Sequence, residues 1–393
     1  MSFTRVMGVC IAVVACMLSA CANERLYQHE ATADAGGAAG THGMDRRVDS
    51  GDDPAPVQGA SDKTELVLPI VSADAVLGVR TGTGQVEQIA RVEPWTFHGQ
   101  KGRAYISAHY RILTTMSRTF VADRLTLFAE ASLARFGSTF ASLPDAPAGM
   151  EIFILKSRPQ WRQFVADSLG KAGINRYDAI ERGGFTEHGR SVIWDIGVHD
   201  TFAILAHEGW HQYNQSTIRE PLPTWLDEGI AAWAEGFRWN PGAPGEPEFL
   251  PWANIERFDQ LRRAQTAGKS MSLEKILTDR PQDLIKVSSS KTLTYYAQCW
   301  ALVHFIVSDP RRKASLDRLL ADYAAGTVGS RVRAKYGSRA ARAFGRRRAG
   351  LEVWKLYFGD DLDTQARAYD AYLHAIVAPG SKNAIVQGRS PVK

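Results

Sequence analysis

The sequence predicts an α+β fold in which a mixed sheet and one motif-bearing helix precede a mainly helical second half. Two observations carry this. Between residues 65 and 196, short apolar or alternating stretches of strand length are interleaved with helical periodicity, and from residue 201 onward the pattern is largely helical. Composition sets the frame: 45% of the 393 residues are hydrophobic and 23% are charged, which supplies a sizeable core and excludes disorder, collagen-like repetition and a multi-span membrane protein. Lys and Arg number 47 against 42 Asp and Glu, and a net charge of +5 is too mild at this length for a dedicated nucleic-acid binder.

The first residues stand apart from the folded body. Arg5 is the only charge before Glu24, and the apolar run Val6 to Leu18 has the layout of a secretory signal while being too short to span a bilayer comfortably. Leu18-Ser19-Ala20-Cys21 follows it and resembles the lipobox of bacterial lipoproteins. That resemblance implies a signal peptide over 1–20, cleavage before Cys21 and lipid on its thiol, giving a membrane anchor. Ala22 in place of Asp resembles the address of an outer-membrane protein facing the periplasm rather than that of an inner-membrane one. Cys10 and Cys16 lie inside the signal, so only Cys299 remains and no disulfide framework is expected. Residues 21–64 are rich in Ala, Gly, Asp and Ser with few large apolar side chains, the composition of a flexible tether with a reach of roughly 35 Å.

The folded body then runs from 65 to 393, as an α+β half over 65–215 and a helical half over 216–393. Glu65 to Val71 reads as a strand. From Ala104 to Ile112, Ile106, Ala108, Tyr110 and Ile112 alternate with polar residues as in a half-buried strand. A helix from about Arg118 to Gly137 leads to an apolar strand, Met150 to Leu155. Ser157 and Pro159 open a helix with Trp161, Phe164, Val165 and Leu169 on one face. Gly183-Gly184 reads as a turn before a strand at Ser191 to Ile196. Helices are expected at Thr201–Gln215, Trp225–Glu235, Thr292–Val307, Ala314–Tyr323 and Asp363–Val377, with a Pro/Gly-rich loop at Asn240–Pro251.

The chemistry concentrates at His207-Glu208-Gly209-Trp210-His211, an H-E-x-x-H motif in a helical setting. A spacing of four puts both imidazoles on one side of a helix, close enough to share a metal ion, and Glu208 beside them can act as general base toward a metal-held water. The pentapeptide is not decisive without a third ligand. Glu228 supplies one, on the next amphipathic segment, and two His plus one Glu leave a coordination position open, as in catalytic zinc sites.

With Trp225-Leu226-Asp227-Glu228-Gly229-Ile230-Ala231 the chain resembles the gluzincin metallopeptidases, particularly the W-L-N-E-G-x-A signature of the aminopeptidase branch and of peptidase-MA-like exported proteins. The resemblance covers roughly Ser191 to Ile306. It implies a zincin-like fold, one zinc ion per chain held by His207, His211 and Glu228, Glu208 as catalytic base, and Glu235 orienting a ligand imidazole from behind. Asp227 replaces the usual Asn, a change expected to matter little. Thr294-Tyr295-Tyr296-Ala297-Gln298 is similar to the branch's Y-x-K-G stretch, which implies Tyr296 as oxyanion donor, with Tyr295 or a core role for either tyrosine as the alternatives. In gluzincins the strand before the active helix pairs with the substrate, a place occupied here by Ser191 to Ile196.

The expected protein is thus a zinc-dependent peptidase acting on peptide or protein substrates, lipid-anchored in the bacterial cell envelope. Its rivals are a catalytically silent binding lipoprotein of the same fold and a zinc amidohydrolase acting on cell-wall material. Endopeptidase action or a restricted peptide substrate is preferred, because no N-terminus-binding motif precedes the active helix beyond the distant echo in Gly183-Gly184-Phe185. Three further features have ordinary readings. Trp194, Trp210, Trp225, Trp233, Trp239 and Trp252 are expected in the core. The basic run from Arg331 to Arg348 reads as a solvated helix face that could also steer toward anionic lipid or an acidic substrate. His98, His109, His188, His199 and His304 show no ligand spacing.

Overall fold

The alternating residues of the first half assemble into a nine-stranded mixed sheet. The computed structural model describes residues 10–13, 65–67, 76–80, 86–140, 143–242, 245–284 and 287–392. The strands are β1 (Cys10–Val13), β2 (Glu65–Val67), β3 (Val76–Arg80), β4 (Val86–Phe97), β5 (Gln100–Ile106), β6 (Tyr110–Thr114), β7 (Met150–Leu155), β8 (Gly183–Glu187) and β9 (Arg190–Trp194). Their order is β1-β8-β9-β7-β6-β5-β4-β3-β2, parallel only at β6–β7 and β7–β9. Parallel neighbours need long crossovers. These are supplied by α1 (Thr119–Ala122) with α2 (Leu125–Thr139), and by α3 (Arg158–Tyr177) with β8.

Period two along β7 builds a core on each face of the sheet. Ile152 and Ile154 pack with Phe128, Leu133 and Phe136 of α2, whereas Phe153 and Leu155 pack with Trp161, Phe164 and Val165 of α3. The first of these cores continues into the helical half. There α4 (Val198–Thr217) and α5 (Thr224–Ala234) are followed by the short hairpin β10 (Phe237–Trp239) and β11 (Pro247–Phe249). Then come α6 (Ile255–Thr266), α7 (Leu273–Thr278), α8 (Pro281–Leu284), α9 (Ser289–Val307), α10 (Pro310–Ala325), α11 (Val328–Gly345), α12 (Gly350–Phe358), α13 (Leu362–Ile376) and α14 (Ser381–Val386). The chain is therefore mixed α+β, with the sheet on the N-terminal side and helices after it.

Several expectations need correction. The single strand expected over Ala104–Ile112 is two antiparallel strands, because Glu130 accepts from the Ser107 hydroxyl and the His109 amide and pins a turn between them. Alternation simply continues through that turn. Gly183-Gly184 is not a turn but the start of β8; the reversal comes at His188-Gly189, where both residues have positive φ. Gly184 is required there, since a Cβ would lie 2.1 Å from Ile193 Cγ2 on β9. The Asn240–Pro251 loop contains β11. Cys21 and residues 21–64 lie outside the described residues, as does the signal segment apart from β1. Among the described residues, no helix is long and apolar enough to cross a membrane.

Candidate metal centre

Helix α4 follows β9 through Gly197, whose φ of 113° turns the chain back onto the sheet. Phe202, Leu205 and Trp210 are buried against the core, and this packing brings the 207–211 turn inward. His207 and His211 stack one turn apart with ring centroids 4.9 Å apart. Helix α5 carries Glu228 to them. Gly229 lets it press against α9, because a Cβ there would sit 2.8 Å from Val303 Cγ2 and 2.9 Å from the Cys299 carbonyl oxygen.

One Glu228 oxygen, Oε2, lies 3.6 Å from His207 Nε2 and 3.4 Å from His211 Nε2, and one ligand atom from each of the three residues falls within 4.8 Å of the others. All three side chains are fully buried. Those separations are long for hydrogen bonds. They match the edge of a tetrahedron with metal–ligand bonds near 2.0–2.1 Å, about 3.3 Å. His207 Nε2 and both Glu228 oxygens have no hydrogen-bond partner among the described residues. Buried polar atoms left without partners are costly, so a convergent set of them with ligand chemistry fits a cation.

Behind each imidazole stands a carboxylate, and behind each carboxylate an arginine. His207 Nδ1 donates to Glu235 Oε1 at 2.7 Å, and Glu235 accepts from Arg257 at 2.6 and 3.0 Å and from Asn254 at 2.8 Å. Burial penalises the Glu235 charge, but Arg257 and His207 outweigh it and hold its pKa down at about 2. Glu235 is therefore an acceptor, which leaves the His207 Nε2 lone pair aimed at the cluster. In the same way His211 Nδ1 donates to Asp227 Oδ1 at 3.0 Å, an oxygen that also accepts from Trp210 Nε1 and Asn214 Nδ2. Arg347 donates to the other Asp227 oxygen. Glu228 itself is pushed up by burial, yet the facing His211 and His207 bring it below the ordinary carboxylate value.

Glu208 projects beside the cluster, fully buried. The Thr186 hydroxyl on β8 donates to its Oε2 at 2.7 Å, and its Oε1 has no partner among the described residues. Burial pushes its pKa up, against the pull of both histidines. The two tyrosines of α9 part company. Tyr295 commits its hydroxyl to the Asp279 carbonyl at 3.1 Å, whereas the Tyr296 ring lies edge-on to His207 at 6.3 Å between centroids and under the Arg257 guanidinium at 5.4 Å. The expectation for Ser191–Ile196 fails in one respect: β9 is hydrogen-bonded on both sides, to β7 and β8, so it offers no edge to a substrate. β8 lies outside it, with β1 on its outer side.

Trp194, Trp210, Trp225 and Trp233 are buried, and Trp239 and Trp252 are partly buried against the core. His304 is stacked on Trp252 inside the core. Sequence reasoning missed Thr186, Asn254, Arg257 and Arg347, and it undervalued Asp227. Asp227 alone had a local signal, as a charge in a buried helical turn beside a ligand; the others reach the site from elements distant in the chain.

Among families of known proteins, residues 201–322 match one described as "Protein of unknown function (DUF1570)". That stretch contains His207, Glu208, His211, Glu228, Glu235 and Tyr296. Nothing among curated proteins or solved structures matches the chain.

Proposed function

We infer that this protein is a zinc-dependent peptidase of the bacterial cell envelope, anchored by lipid at Cys21, with a fold of the zincin type. The observation that carries the reading is the convergence of His207, His211 and Glu228, with the carboxylate of Glu208 beside them. Two imidazoles and one carboxylate suit zinc, and three protein ligands suit a catalytic rather than a structural ion. When bound, zinc supplies Lewis acidity that polarises an amide carbonyl and makes water nucleophilic near neutral pH. The chain's own residues do the rest. Thr186 holds one Glu208 oxygen so that the other is free to take a proton from the attacking water and pass it to the leaving amine. To Tyr296, whose ring lies edge-on to His207, this reading assigns donation to the developing oxyanion.

Peptide rather than small-ester specificity would come from strand addition at β8, the strand whose Thr186 touches the base. In the chain as translated, Cys10–Val13 covers that edge. Cleavage before Cys21 would vacate it. The complete burial of Glu208 and the three ligands favours a second reading, a catalytically silent binding lipoprotein of the same fold.

Elemental analysis separates the two. The peptidase reading expects near one zinc per chain, lost in His211→Ala and in Glu228→Ala, with Glu208→Gln retaining zinc while losing hydrolysis of peptide and muropeptide libraries. A chain that stays metal-free after dialysis against zinc overturns this reading and leaves the binding lipoprotein.

A further inference from the structure

Within the basic run 331–348, one side chain behaves unlike the rest. Arg339, Arg342 and Arg346 recur at i, i+3 and i+7 and are exposed, opposite buried Ala340 and Phe344. Arg347 turns inward, with only 10% of its side chain exposed. Its Nε donates to the Leu222 carbonyl at 2.8 Å, just ahead of α5, and its Nη2 donates to Asp227 Oδ2, 120 residues away in sequence. The backbone accepts an uncommon conformation to do this, with φ of 59° at Arg347. The turn is braced on both sides. Phe344 is buried before it, and after it Gly350 lies so close to the Leu277 carbonyl that a Cβ would be 2.1 Å from the oxygen.

The arrangement has a partner in the other half of the site. His207, Glu235 and Arg257 form one chain of imidazole, carboxylate and guanidinium; His211, Asp227 and Arg347 form the second. Besides the ligand Glu228, three carboxylates are buried around the cluster: Glu208, Asp227 and Glu235. An uncompensated carboxylate in such a place is strongly unfavourable. The neutral Asn that the resembled signature carries at this position would need no counter-ion. Asp227 does, and Arg347 supplies it from outside the matched stretch 201–322.

Resting on the metal reading above, we propose that Arg347 is a positioning residue for the metal centre. It fixes the Asp227 carboxylate so that Oδ1 meets His211 Nδ1 and the opposite ring nitrogen points at the shared ligand position. The segment joining α11 to α12 is then part of the site's construction, although none of its atoms is a ligand.

A double-mutant comparison on the full chain tests this, reading the zinc dissociation constant by competition with a chromophoric chelator and the Tm of the metal-free protein. Arg347→Met should weaken zinc binding by about 10- to 100-fold, the usual consequence of losing a group that orients a ligand. Asp227→Asn combined with Arg347→Met should return to within a few-fold of the parent, because a neutral amide accepts from His211 without a counter-ion. Arg347→Lys keeps the charge but not the fork that reaches both Leu222 and Asp227, and should bind zinc more weakly than the parent. It serves in place of Arg347→Met should the latter not fold. Lowered Tm with unchanged zinc affinity in the folded variants, or a double variant no better than Arg347→Met, overturns the proposal. A parent that takes up no zinc overturns the metal reading as well; a parent and variant that bind equally overturn only this one.

Discussion

Two adjacent tyrosines on α9 carry opposite assignments, and single-atom changes distinguish them. Tyr296→Phe removes the hydroxyl of a ring that lies edge-on to His207 and should lower peptide turnover by about 10²–10³-fold at unchanged zinc content, the scale of losing one oxyanion donor. Tyr295→Phe removes a hydrogen bond to the Asp279 carbonyl, so it should cost about 1 kcal/mol of stability and leave turnover alone. Steady-state kinetics with parallel urea titrations checks both; equal turnover in Tyr296→Phe returns that side chain to a packing role. What was legible in the sequence at this scale is what helical spacing can encode. His207 and His211 share a face because they are four apart, and Glu228 and Glu235 share one because they are seven apart. Arg257 and Arg347 were illegible, because a guanidinium in a charged segment looks the same whether it ends in solvent or folds back 22 or 120 residues to a buried carboxylate.

At the scale of elements, the site depends on how closely α5 approaches α9. At Gly229 the two helices leave no room for a Cβ, and Gly229 follows the ligand Glu228 directly, so widening the gap there moves the ligand too. Gly229→Ala should destabilise the fold by about 1–3 kcal/mol in urea unfolding and weaken zinc binding with it. Unchanged stability would mean that Val303 and the Cys299 carbonyl both yield without moving α5. The elements themselves were readable where one pattern filled them, as in β7, α3, α4 and α9. They were misread where a pattern ran across a boundary: alternation continues through the Ser107–His109 turn, and the two glycines of β8 carry a turn's composition in a strand held flat against Ile193. This second error decides which strand borders the base, since it hid β8, whose Thr186 hydroxyl donates to Glu208.

For the whole molecule, the buried helix α9 links the metal centre to the fold's response to acid. His304 on α9 stacks on Trp252 at 3.6 Å between ring centroids, meets Trp300 edge-on at 4.8 Å, and lies 3.3 Å through Nε2 from the Pro251 carbonyl. Burial lowers its pKa from the ordinary 6.5 to about 3, with the bond to Pro251 opposing only part of that. The folded protein therefore keeps this ring neutral, while the unfolded chain takes up a proton below 6.5. The unfolded state binds more protons between 3 and 6.5, so the contribution of His304 is fully present above that window and is lost progressively as pH falls through it. Glu235, held at about 2 against an ordinary 4.5, adds a loss of the same sign at lower pH. His207 works the other way in the metal-free chain: burial lowers its pKa, but Glu228 and Glu235 outweigh that and raise it, which favours the fold as the ring gains a proton. Comparing the parent with His304→Gln cancels these other groups, because Gln keeps a donor for the Pro251 carbonyl and cannot titrate. Between pH 7 and 5 the metal-free parent should lose about 2 kcal/mol more than the variant, from 1.36 kcal/mol per unit over the span below 6.5. Urea midpoints at the two pH values measure that difference, and parallel losses in parent and variant would show that His304 is protonated without opening the core.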